Sequence, residues 1–164
     1  MCFVSTKAAS FALNRCDLPG DDMISMEHAV VINRPVEDVF AFVADQANEP
    51  EWHTDVLEVN PRRPLKLGAS VTWLVRFMGN NTYVVEVTAF EPLRRIELTA
   101  RQGPLKPTLT HTFEQTDGAT RYQRHVQIPL HGMFRLVGPI MKATGAAHRR
   151  NARFSENLKN MLEK

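Results

Sequence analysis

The stretch LTHTFEQTDGATRYQRHVQI, residues 109–128, constrains the fold of this chain more than any other. Asp117-Gly118 is a strong hairpin signal, because a tight turn between antiparallel strands needs residues that tolerate positive φ. Residues opposed across a hairpin share one face of the sheet, so an apolar stripe on one strand has to meet an apolar stripe on the other. A two-residue turn at Asp117-Gly118 pairs Phe113 with Tyr122, His111 with Arg124 and Leu109 with Val126, and the stripes coincide. A three-residue turn shifts the parity and sets His111 against His125, on a polar face with Gln123 and Gln127. The two-residue turn is therefore expected.

The same test extends the face to earlier strands. For 71–77 against 83–89, a three-residue Gly79-Asn80-Asn81 loop pairs Phe77 with Tyr83, Val75 with Val85, Trp73 with Val87 and Val71 with Ala89. A Pro92-Leu93 turn then pairs Ala89 with Ile96, Val87 with Leu98 and Val85 with Ala100. The result is one continuous apolar face, interrupted by His111, Arg124 and the hydroxyls of Tyr83 and Tyr122. An unpaired buried guanidinium is costly, so Arg124 requires a carboxylate, carbonyls, water or a ligand, whereas His111 can stay neutral. Two readings stand: an internal hydrogen-bond network or solvent-reaching strand end, and the convergent polar groups of an otherwise apolar pocket.

Upstream, EHAVVIN reads as a strand opened by Met26. RPVEDVFAFVAD puts proline at a helix start, with Val36, Val39, Phe40 and Val43 at helical spacing. NEPEWHTDV reads as a short second helix or turn, and breaker-punctuated alternation marks strands at 55–61, 68–78, 82–90 and 94–101. After the Asp117-Gly118 hairpin, a terminal helix is expected from Pro139 onward, its seam formed by Ile140, Thr144, Ala147, Asn151, Phe154, Leu158 and Met161. The order β, α, α, six further β, α predicts an α+β fold, an antiparallel sheet covered on one face by helices. Residues 1–25 show neither period, end in the breaker-rich LPGDD and read as an N-terminal extension to a domain spanning 26–164.

Composition narrows the function classes. With 20 basic and 18 acidic residues, the chain lacks the positive excess of a nucleic-acid binder, and the basic lean of residues 130–164 reads as a solvated helix face. No apolar run approaches the ~20 residues of a membrane span, so neither stable membrane insertion nor a signal-peptide core is expected, and the chain reads as cytoplasmic. The six histidines show no HxxxH or HExxH spacing, Cys2 and Cys16 fit no zinc pattern, and GxSxG, GxGxxG and Walker motifs are absent. No metal, cofactor or nucleophilic catalyst is expected. Trp52 and His53, in EPEWH, have two readings, a cavity entrance and core packing after a short helix, of which core packing is the expectation.

The segment VVINRPVEDVFAFVADQANEPEWH resembles the opening of the START-like superfamily, in particular its polyketide cyclase and lipid-transport branch. Gly68 at a strand start, YVVEVTAFEPLRRIEL, DGATRYQ and the closing NLKNMLE are similar to later landmarks of that family, and the likeness spans residues 27–164. It implies a helix-grip fold: a curved antiparallel sheet of about seven strands around a long C-terminal helix, two short helices after the first strand, and an apolar cavity. It implies no reaction. The expected function is binding or carrying a small hydrophobic ligand, whether lipid, isoprenoid or polyketide-like. His111, Arg124, Tyr122, Tyr83, Trp73, Phe113 and Val85 are the expected sheet contributions, with Ala147 and Asn151 from the helix. Small residues at Thr144 and Ala147 either leave space or permit close helix packing. The alternative is a cyclase or aromatase in the same cavity, with His111 or a tyrosine exchanging protons and Arg124 stabilising enolate charge, although the face offers no carboxylate to pair with His111.

Overall fold

The alternation read from the sequence builds seven antiparallel strands in the computed structural model, which describes residues 23–132, 135, 136, 138, 140 and 145–164. In chain order the elements are β1 (Met23–Ile32), α1 (Val36–Ala44), α2 (Glu49–Trp52), β2 (Val56–Asn60), β3 (Ser70–Arg76) and β4 (Asn80–Glu91). They continue with β5 (Arg95–Gln102), β6 (Thr108–Thr116), β7 (Ala119–Pro129) and the terminal helix α3 (Ala146–Leu162). The sheet order is β1-β7-β6-β5-β4-β3-β2, a meander from β2 to β7 on which β1 closes. Since β1 and β2 lie at opposite edges, the chain between them must cross the sheet, and α1 and α2 make that crossing. With α3 against the curled sheet, this is the helix-grip architecture.

The decisive hairpin has the expected register: Phe113 opposes Tyr122, His111 opposes Arg124 and Leu109 opposes Val126, with Gly118 at φ 79. The next registers differ from expectation. Between β3 and β4 the three-residue loop is Phe77-Met78-Gly79, so Trp73 opposes Tyr83, Val71 opposes Val85 and Val75 opposes Asn81. Two residues of that loop take positive φ, Met78 at 49 and Gly79 at 107, and the Phe77 N–H donates to the Gly79 carbonyl at 2.8 Å. The shift is an even number of residues, which leaves every inward side chain inward. Between β4 and β5, Val87 opposes Leu98 and Val85 opposes Ala100 as expected, but an irregularity after Val87 makes Ala89 oppose Glu97 and Phe90 oppose Ile96. One extra residue on a strand slips the pairing by one.

Two boundaries also move. β1 begins at Met23, and Ile24 is 1% exposed opposite Ile128, so residues 23–25 are strand rather than extension; the rest of that extension lies outside the described residues. Gly145 takes φ 61 and α3 starts after it, so the helix is shorter than the run from Pro139, Ile140 is exposed, and Thr144 lies outside the described residues. From Ala146 the seam holds, with Asn151, Phe154, Ser155 and Leu158 buried. Helix α1 buries Val36, Val39, Phe40, Val43 and Ala44, and Phe40 meets Phe90 and Phe113 edge-on at 5.5 and 5.1 Å. Such apolar burial is the main stabilising term for a fold of this kind.

Candidate functional site

A cavity of about 240 Å³ lies between the first turns of α3 and the inner face of the sheet. Trp73, Val75, Tyr83 and Val85 form one wall, and Leu109, Arg124, Val126 and Ile128 another. Helix α3 contributes Ala146, Ala147, Arg150, Asn151 and Phe154, and the turn after α2 contributes His53 and Asp55. The volume falls a little below the ~300–1,000 Å³ of pockets for drug-sized molecules, which favours a small guest.

Six of the nine side chains expected at the site line this cavity: Arg124, Tyr83, Trp73, Val85, Ala147 and Asn151. His111, Tyr122 and Phe113 lie on the same face but outside the cavity wall. Helix α2 is the reason. Its Trp52 is fully buried and meets His111 and Tyr122 edge-on at 6.1 and 6.5 Å, while Phe113 packs on Phe40 and Tyr122. The face is therefore divided between a filled end and an open end. Trp52 belongs to the core as expected, whereas His53 both packs and borders the cavity.

Arg124 sits at that division, 3% exposed. Its Nη1 donates to Asn151 Oδ1, the Asn151 amide donates back to the Arg124 carbonyl at 3.3 Å, and the guanidinium lies 5.4 Å from the Phe154 ring centre. This pairing ties β7 to α3. The Arg124 Nε has no hydrogen-bond partner among the described residues. His111 is 1% exposed, and its Nδ1 meets the Tyr122 hydroxyl at 2.7 Å. Burial, with Arg124 adding to it, pushes His111 down to about 3, so the imidazole is neutral. Burial likewise raises the Tyr122 hydroxyl and lowers Arg124.

The sequence reading missed a carboxylate here. Glu49, from the first turn of α2, is 1% exposed, and its Oε1 meets His53 Nδ1 at 2.8 Å. Burial pushes the Glu49 carboxyl up to about 8 against the pull of Arg124, and holds His53 well below its ordinary value, with Arg124 adding to the effect. The i,i+4 spacing of Glu49 and His53 in EPEWH was the available signal. Gln46, also missed, accepts a hydrogen bond from the Trp73 indole at 2.8 Å. At the cavity rim, Arg150 pairs with Asp55, donates to the Arg76 carbonyl at 2.7 Å and lies 5.4 Å from the Phe77 ring centre, while Arg153 reaches Asp55 at 3.5 Å. That basic face of α3 is thus partly paired rather than simply solvated.

Among the described residues, no group of three or more His, Cys, Asp or Glu side chains could hold a metal ion, and no helix is long and apolar enough to cross a membrane.

The family described as polyketide cyclase / dehydrase and lipid transport matches residues 23–163. The chain belongs to this family. Its fold is shared with a START superfamily protein from Mycobacterium smegmatis, at 17% identity and TM-score 0.68, covering 86% of this chain and 97% of that one. The Zhui aromatase/cyclase from Streptomcyes sp. R1128 is similar at 16% identity and TM-score 0.70, covering 86% and 94% of the two chains. TTHA0849 from Thermus thermophilus is similar at 14% identity and TM-score 0.70, covering 85% and 97%. No curated protein matches the sequence. Family membership supports a ligand-binding fold of the START and polyketide cyclase type.

Proposed function

We propose that this protein binds or carries a small hydrophobic molecule in the cavity under α3, and that Arg124 anchors a carboxylate or carbonyl oxygen at its polar end. One observation carries this reading: a guanidinium 3% exposed, with one N–H unpartnered, borders a cavity whose walls are otherwise mainly apolar. A charge there is far less screened than in water, so a matching oxygen gains more from meeting it. Asn151 accepts from Nη1, and the buried Nε N–H is left without a hydrogen-bond partner among the described residues. Lipid, isoprenoid and polyketide-like molecules all combine an apolar body with oxygen at one end, and the cavity volume favours the smaller among them. His111 and Tyr122, bonded to each other outside the cavity lining, do not meet the guest.

Native mass spectrometry of protein purified without detergent, followed by extraction, tests for a bound molecule. Binding of 2-naphthoic acid against the neutral naphthalene-2-carboxamide tests the anchor. Arg124→Met, which keeps most of the length but removes charge and donors, is expected to lose about 1.5–3 kcal/mol for the acid and less for the amide. Equal losses for the two would remove the anchoring role.

A further inference from the structure

The polar contacts at the cavity rim converge on one side chain, Arg150. We infer that Arg150 is a bar across the mouth of the cavity, held closed by Asp55, and that a guest enters or leaves when this side chain swings aside. The inference rests on the cavity admitting a small guest and goes beyond it, naming the route and what sets the rate of passage.

Helix α3 is fixed unevenly. Its C-terminal end is held by the β1–α1 connection, where Arg34 Nε donates to the Leu162 carbonyl at 2.6 Å and the Asn33 N–H donates to Glu163 Oε1 at 2.8 Å. The helix packs chiefly on β1 and less on β7 and α2. Its first turns lie over the cavity, and Gly145 at the N-cap provides no side-chain cap. Side chains tie those turns down instead: Asn151 to Arg124 on the β7 side, and Arg150 to Arg76 and Asp55 on the β3 side.

Arg150 spans the gap from α3 to β3 with each part of its head engaged. Its Nε donates to Asp55 Oδ2, its Nη2 donates to the Arg76 carbonyl at 2.7 Å, and the guanidinium lies 5.4 Å from the Phe77 ring centre. Arg150, Asp55 and Phe77 all belong to the cavity wall, so the bridge closes the cavity at its own edge. The post it meets is rigid: the Asp55 carbonyl accepts from the Arg76 N–H at 2.7 Å, which joins that residue to the end of β3. Arg153 reaches the same carboxylate at 3.5 Å from a more exposed position and is the weaker support. Among the described residues lining the cavity Asp55 is the only carboxylate, so no second acid takes the bar when Asp55 is neutralised. The bar is the movable part. Arg150 is a long, partly exposed side chain, and rotation of its torsions opens a path without unfolding any backbone. Swinging it aside breaks a charge-assisted hydrogen bond and a carbonyl hydrogen bond together, with partial compensation by water at the rim. Passage is therefore limited by polar contacts that salt weakens, while the guest itself is held by the apolar walls and Arg124.

Acrylamide quenching of tryptophan fluorescence tests the bar in the full chain without any guest. Trp73 lines the cavity and is 3% exposed, so a small neutral quencher reaches it through the mouth, whereas Trp52 lies outside the wall; a Trp73→Phe control assigns the signal. Asp55→Asn keeps the size and removes the charge, and Arg150→Met keeps most of the length and removes the donors. Each is expected to quicken quenching of Trp73 about tenfold, the scale of one partly exposed charge-assisted hydrogen bond. Arg150→Lys, which keeps the charge but loses the fork that meets Asp55 and the Arg76 carbonyl together, should fall between. NaCl at about 1 M should quicken quenching in the parent and not in Asp55→Asn. Stopped-flow exchange of the neutral naphthalene-2-carboxamide, which rim charge does not steer, should then show association and dissociation both about tenfold faster in Asp55→Asn. Loosened packing would speed dissociation alone, and that result overturns the inference. So do quenching and exchange at parental rates in both Asp55→Asn and Arg150→Met; should Arg150→Met fail to fold, the size-conserving Asp55→Asn still decides. Failure of the carboxamide to bind counts instead against the binding reading, and quenching then judges the bar by itself.

Discussion

Replacing Glu49 with Gln should change how stability depends on pH, and the structure sets both sign and size. In the unfolded chain the carboxyl titrates near 4.5, and in the folded protein burial moves it to about 8. The folded state therefore binds the proton more tightly, so this contribution is fully present below pH 4.5 and is lost as pH rises through 8. His111 works in the opposite sense: its value falls from 6.5 to about 3, so its contribution is present above pH 6.5 and lost as pH falls toward 3. His53, also depressed by burial, acts in the same direction as His111. Stability should accordingly peak near pH 6.5. From there to about pH 9, Glu49 withdraws about 2 kcal/mol, at up to ~1.4 kcal/mol per pH unit. Glu49→Gln keeps the shape and the contact with His53 but cannot ionise, and its stability should stay flatter over that range. Urea unfolding at a series of pH values, followed by the fluorescence of the buried Trp52 and Trp73, measures the difference. Parallel curves for parent and variant would show that Glu49 is already ionised in the fold, as an ion pair with Arg124, and would refute the desolvation reasoning.

Ile24→Ala should cost about 2–5 kcal/mol in urea unfolding, since Ile24 is a buried rung opposite Ile128; a loss under about 1 kcal/mol would detach the start of β1 from the core. Ala147→Phe should weaken 2-naphthoic acid binding about tenfold or more while costing under about 1.5 kcal/mol of stability, because the ring enters existing space. Severe unfolding of that variant would mean that the helix and sheet already fill the site.

The alternation around Asp117-Gly118 determined which residues share a face, and the opposition of His111 and Arg124 was legible from that hairpin alone. Face parity is a local property with period two, so it survived even where the pairing of β3 with β4 moved along the strands. Element order was legible for the same reason, since each strand and helix carries its own period and breakers. Where each loop turns was less so, because positive φ at Met78 and Leu93 depends on strand closure and not on residue preference. The division of the inner face was decided by tertiary structure alone: Trp52 and Phe40 come from segments distant in sequence and fill one end, which removes His111, Tyr122 and Phe113 from the cavity. The burial of Glu49 belongs to the same category. In EPEWH the i,i+4 spacing already brings it to His53, and only the packing of α2 beneath α3 removes the pair from water. A sequence specifies which side of its own element a residue faces; what stands opposite, and whether space remains between, depends on how distant elements meet.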